Sequence, residues 1–97
     1  MRIEIKAPAM KTLKSIADWV ETKNTEGSGS RYMNKFYDYI YEQADSIHAL
    51  PLCKFPEFNI RKLTCLFYKD WVIAIKAEKN KIVIHSIIHG SWLNYKI

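Results

Sequence analysis

Two apolar stripes of helical period lie on either side of TKNTEGSGS, residues 22–30, and no other feature limits the fold of this chain as much. Upstream, Met10, Leu13, Ile16, Ala17 and Val20 recur three or four residues apart, with Lys11, Lys14, Asp18 and Glu21 between them. A helix gathers the first set on one face and the charges on the other. Downstream, Met33, Phe36, Tyr37, Ile40, Ala44 and Ile47 repeat the pattern, widened by Tyr32, Tyr39 and Tyr41, and predict a second helix to about Ile47. The small, polar residues between the stripes predict a helix–helix turn, with Ser30 placed to cap the second helix.

The remaining segments supply the sheet on which such a hairpin can pack. MRIEIK alternates apolar and charged residues, which predicts a short, half-buried strand, and Pro8 behind it permits a helix to start. LPLCKFPEFN, residues 50–59, holds Pro51 and Pro56 and is predicted as a loop. Residues 60–68 alternate again, with Arg61, Leu63, Cys65 and Phe67 on one face and Lys62, Thr64, Leu66 and Tyr68 on the other. Lys69-Asp70 predicts a tight turn and residues 71–77 a second strand. Lys79-Asn80 then predicts a two-residue hairpin, Asn80 tolerating positive φ, before a third strand over 81–88. The runs VIAI and IVI are apolar on both parities, so helices should cover one face of this meander and something else part of the other. The predicted fold is α+β: an N-terminal strand and a two-helix hairpin packed on an antiparallel β-meander, in the order β-α-α-β-β-β, as one domain over residues 1–97.

Charge separates the two halves of the chain. Residues 1–49 carry seven basic and seven acidic side chains, whereas residues 50–97 carry eight basic and three acidic, so the whole net charge of +5 belongs to the second half. Such a bias suits a polyanion or an acidic protein as partner, and it also suits lysines that keep exposed strands soluble. No apolar run approaches the roughly 20 residues that span a bilayer, so no membrane is expected. Cys53 and Cys65 are too sparse for a disulfide scaffold and no charged-then-apolar leader opens the chain. The expectation is a cytoplasmic protein with both thiols reduced.

The order of elements, together with several local stretches, resembles the RelE/ParE superfamily of bacterial type II toxin–antitoxin toxins. IKAPAMKTLKSIADWVE is similar to the family's opening strand and first helix, the proline of ALPLCKFP falls where the family has one after its second helix, and RKL, residues 61–63, resembles the basic start of its central strand. NKIVIHSIIHGSWL, residues 80–93, is similar to the closing strand and histidine-glycine ending of the ParE side. The resemblance runs from about Ile3 to Leu93. It implies a plasmid-stabilisation type of growth inhibitor, held in check by a cognate antitoxin and needing no cofactor. Trp71 stands where RelE-type nucleases carry an arginine, which favours a ParE-like binder of DNA gyrase. The alternative is a ribosome-dependent, metal-independent mRNA endonuclease, and a third reading is a decayed toxin kept as an interaction module.

Candidate residues follow from these readings. Metal-free RNA cleavage needs a base, an acid and a cation for the phosphorane, which on the nuclease reading fall to Arg61, Lys69 and His89. Arg61, Lys62, Lys69 and Lys81 are the candidates for contacting a target or nucleic acid, with Lys76 beside them and Tyr68 and Trp71 as aromatic platforms. Trp92, Leu93 and Tyr95 form an apolar tail that an antitoxin would cover. The alternative role for His89 is to end a strand before Gly90. His85 shares its strand parity, so an unbroken strand sets the two on one face about 13 Å apart, too far to chelate one ion. Cys53 and Cys65, with no C-x2-C pair, complete no zinc site, and no metal is expected.

Overall fold

The computed structural model describes residues 2–89, except for the side chains of Asp45 and His48. Strand β1 (Arg2–Ile5) leads into helix α1 (Ala7–Lys23), with Pro8 in the first turn, where its missing N–H leaves no gap in the hydrogen-bond ladder. Ala9, Leu13, Ile16 and Ala17 of α1 are buried while Lys11, Lys14 and Asp18 stay in solvent, as the stripe requires. Helix α2 (Ser28–Gln43) buries Gly29, Phe36 and Ile40 and tightens into a 3-10 segment, Ala44–Ala49. No helix among the described residues is long and apolar enough to cross a membrane.

The turn between the helices is tighter than the sequence predicts, and α2 begins ahead of Ser30. Its first residues are held from the other helix: the Glu21 carboxylate accepts the N–H of Gly27 and the N–H of Gly29, each at 2.7 Å. A carboxylate there satisfies two donors that a helix start leaves unpaired and opposes the positive end of its dipole. Gly27 adopts φ +85°, a left-handed conformation open to glycine, and a Cβ on Gly29 would stand 2.6 Å from the Ala17 carbonyl oxygen. The two glycines therefore let α2 start against α1.

A four-stranded sheet in the order β1-β4-β3-β2 completes the fold. Strands β2 (Thr64–Tyr68), β3 (Trp71–Glu78) and β4 (Lys81–His89) form the antiparallel meander, and β1 joins parallel to β4, Ile3 opposite Ile82. Both hairpins have two-residue loops, Lys69-Asp70 and Lys79-Asn80. The left-handed residue is Lys69, at φ 54°, and Asn80 does not use the positive φ open to it.

Strand alternation divides the core in two. On the face toward the helices, here the front, Leu66, Ile73, Ile75, Ile82, Ile84 and Ile87 pack with Leu13, Ile16, Phe36 and Ile40. Tyr68, partly buried, packs against this layer with its ring edge-on to Phe36 and Tyr32. On the back, Val72 and Ala74 are covered by Cys53, Phe55, Phe58 and Leu63.

That covering corrects two expectations. The segment predicted as a loop followed by a strand from residue 60 instead folds across the back of the sheet, with a one-turn helix α3 (Pro56–Asn59), and β2 begins only at Thr64. Lys62 at φ 57° breaks the extended run, and the N–H of Cys53 pairs with the Leu63 carbonyl at 2.8 Å. Alternation could not foresee this because Phe55, Phe58 and Leu63 bury themselves through a turn. The second correction concerns the thiols: Cys53 and Cys65 are joined in a disulfide, Cα atoms 4.9 Å apart, because the returning segment lays one directly over the other.

Candidate functional site

The two histidines of β4 part company at an irregularity in its pairing. Ala74 of β3 faces Ser86, but the next residue, Ile75, faces Ile84, which leaves His85 as an extra residue in β4. A bulge of this kind shifts the side-chain alternation by one. His85 therefore turns to the back of the sheet and His89 to the front, which corrects the expectation that the two share a face.

His85 lies against the turn that precedes β2. Arg61 Nη2 is 3.2 Å from His85 Nδ1, and since a guanidinium only donates, Nδ1 accepts and the ring proton resides on Nε2. Nε2 is buried and has no hydrogen-bond partner among the described residues. Burial pushes the His85 pKa below the usual histidine value; Arg61 lowers it further, Lys6 and Lys76 act in the same sense, and Glu78 opposes them. The imidazole is consequently neutral at physiological pH.

His89 occupies the other face, at the end of an open groove of about 690 Å³. Helix α1 supplies one wall through Ile16, Trp19 and Val20, and the β2–β3 turn supplies the other through Lys69, Asp70 and Trp71. The rings of His89 and Trp71, directly paired across β3 and β4, meet edge to face at 5.1 Å. Lys69 Nζ sits over Tyr32 at 5.3 Å and Tyr68 at 5.6 Å, a cation–π arrangement that fixes a positive charge on the rim. Trp19 leaves 62% of its surface in solvent, so the groove is largely apolar, with Lys11 and Thr12 on the helix side and Lys69 and Asp70 on the turn side.

Of the three residues selected for RNA cleavage, Lys69 and His89 line the same groove, while Arg61 is on the back of the sheet beside His85. The target-binding set is likewise dispersed. Lys62 is exposed in the turn before β2, and Lys81 is engaged with Glu4 at 3.5 Å near the opposite edge of the sheet. Trp92, Leu93 and Tyr95 lie outside the described residues. No group of three His, Cys, Asp or Glu side chains that could hold a metal occurs among the described residues.

Three features of these faces escaped the sequence reading: the pairing of Arg61 with His85, the carboxylate clamp of Glu21, and the disulfide. For the first, the apolar residues on both parities around His85 were a usable sign of broken alternation. For Glu21, the two glycines of GSGS were the only trace, since the partner sits on another helix. The chain matches no protein-family model, and no curated protein shows significant similarity to it.

Proposed function

We propose that this chain is the toxin of a bacterial type II toxin–antitoxin pair, a ParE-like growth inhibitor that works in the cytoplasm by binding its target, DNA gyrase, and is neutralised by a cognate antitoxin. Two things support the family reading: the β-α-α-β-β-β order with its closing meander, and the front groove, whose largely apolar lining suits an amphipathic segment of an antitoxin. The observation that carries the choice of a binder is the separation of Arg61 from His89 across the sheet. Phosphodiester cleavage brings its cation and its proton-transfer groups to one phosphate; Arg61 cannot join His89 there from the opposite face, and Lys69, which shares the groove with His89, is held over the Tyr32 and Tyr68 rings.

One observation favours the mRNA endonuclease as a second reading. A neutral imidazole touched by a guanidinium, with Lys6 and Lys76 near, combines a proton acceptor with positive charge on one face. On that reading His85 replaces His89 as the base. The test is induced expression of the chain, followed by primer extension on cellular mRNA and a supercoiling assay with purified gyrase. Growth arrest with lost supercoiling and intact mRNA is the expected result. Codon-spaced cleavage abolished by His85→Ala would transfer the function to the endonuclease, and absence of any growth effect would leave only the interaction module.

A further inference from the structure

The segment 52–63 covers the back of the sheet, and one of its links to the strands is covalent. Its helix α3 is a single turn, too short to persist alone. Lys54, Pro56, Glu57, Asn59, Ile60, Arg61 and Lys62 are exposed, and Ile60 leaves 81% of its surface in solvent. Among the described residues, the segment is held by the burial of Cys53, Phe55, Phe58 and Leu63, the bridge between Leu52 and Thr64, the Arg61–His85 hydrogen bond and the Cys53–Cys65 disulfide, together with other contacts. Asn59 Nδ2 donates to the Cys53 carbonyl at 2.8 Å, so the disulfide also sits at the point where the segment closes on itself.

We propose that Cys53 and Cys65 form a reversible redox site that reacts with dithiol reductants, and that its state decides whether segment 52–63 stays closed over the back of the sheet. Cys65 belongs to β2, a strand at the edge of the sheet, and is half-buried, whereas Cys53 is 2% exposed. The reductant's thiolate therefore attacks Cys65 Sγ, the S–S bond breaks, and Cys53 leaves as a thiolate that takes up a proton. The reductant's second thiol, as thiolate, attacks the mixed disulfide, Cys65 leaves and is protonated, and the reductant departs as a disulfide. Two electrons and two protons pass to the protein.

Reduction removes the constraint that keeps the ends of this twelve-residue separation together. The apolar contacts that remain come from a segment with little structure of its own, and ordering it costs backbone entropy at every residue. Opening exposes Val72, Ala74 and Ile88 and withdraws Arg61 from His85. In a reducing compartment such a bond is transient and regulatory, whereas a structural staple resists reduction. The inference concerns the cover alone: its regulatory role rests on the cytoplasmic location proposed above, and the redox opening itself is independent of the toxin reading.

The experiment treats the full chain with graded ratios of reduced to oxidised dithiothreitol, counts thiols by alkylation and mass spectrometry, and follows each state by short trypsin pulses. Lys54, Arg61 and Lys62 provide cleavage sites within the cover, and Lys14 and Lys23 provide sites in α1 as an internal reference. The oxidised form is expected to resist cutting in the cover, and the reduced form to be cut there at least ten times faster, with α1 unchanged and protection regained on reoxidation. A Cys53→Ala/Cys65→Ala variant should show the fast pattern whatever the reductant; if it does not fold, the reversal in the unmodified chain decides. Equal cutting in both states would overturn the proposal. So would two free thiols in the untreated protein at every ratio, or reduction that occurs only after denaturant has unfolded the whole domain.

Discussion

The two faces of this sheet are covered by different means. The front carries two long helices that bury Leu13, Phe36 and Ile40 completely against the isoleucines of β3 and β4, and the helices are tied to each other by Glu21. The back carries a short segment with one helical turn, held by four buried side chains and a disulfide. Both layers exclude water from the strands, but the front does so with two long helices packed on each other and the back with a single helical turn. The front is therefore expected to melt with the whole domain, and the back to open on its own.

Matched aromatic truncations test that contrast most directly. Phe36→Ala removes a ring that is 1% exposed and is expected to cost about 3–5 kcal/mol in urea unfolding, the usual range for a buried phenylalanine. Phe58→Ala removes a ring almost as well buried, at 4% exposed, yet its cost is limited by the free energy of opening the cover. About 1–3 kcal/mol is expected for it, and less in reductant, while Phe36→Ala should be insensitive to reductant. Equal losses for the two in both conditions would show that the faces unfold as one unit.

The third substitution bears on how the front layer is assembled. Gly29→Ala drives a methyl group to 2.6 Å from a backbone oxygen of α1, and a main-chain atom cannot step aside as a flexible side chain does. The helices must separate, with an expected loss of about 1–3 kcal/mol, the range for overpacking. Ordinarily this substitution favours a helix by roughly 0.5–1 kcal/mol, so a stabilised variant would refute the close approach.

How much of this was readable in advance differs between the faces for the same physical reason. The front follows from periodicity: Leu13, Ile16, Phe36 and Ile40 recur at helical spacing, and Ile73, Ile75, Ile82 and Ile84 alternate, so local pattern and tertiary burial agree. The back does not follow, because Phe55, Phe58 and Leu63 have no period and reach the sheet through turns such as that at Lys62. The positions of the candidate residues inherit this difference. Lys69 and His89 come to one groove only because the bulge turns His89 to the front, and Arg61 was assigned to a strand that begins three residues later. One bulge at His85 was enough to reverse the face of everything expected beyond it.

Acid separates the layers next. Two backbone N–H groups, of Gly29 first and Gly27 second, hold the Glu21 carboxyl below its ordinary value of 4.5, with Arg31 adding to them and desolvation working against them. A carboxyl whose folded pKa is depressed contributes stability above its unfolded pKa and loses it as pH falls through the folded value. Glu21→Gln is therefore expected to lower stability at neutral pH and to flatten its decline below about pH 4.5, as followed by helix ellipticity. An unchanged acid profile would remove Glu21 from the junction.

The smallest effect belongs to the back, at His85, and its sign is opposite to that of a histidine gaining a partner. Burial and the cations Arg61, Lys6 and Lys76 lower its pKa from the ordinary 6.5, against a weaker pull from Glu78. The unfolded chain thus binds a proton near pH 6.5 that the folded chain refuses, and stability falls as pH drops from 6.5 toward the folded value, below which no further loss follows. His85→Gln should remove that slope without touching the one from Glu21. Direct titration of the ring by NMR locates the cause. Arg61 belongs to the cover, so cutting its link by Arg61→Gln, or releasing the cover by reduction, should each raise the His85 pKa toward 6.5. If neither change moves it, desolvation within β4 alone sets the value and the cover makes no electrostatic contact with the sheet. If both move it by the same amount, the imidazole reports whether the back of the molecule is closed.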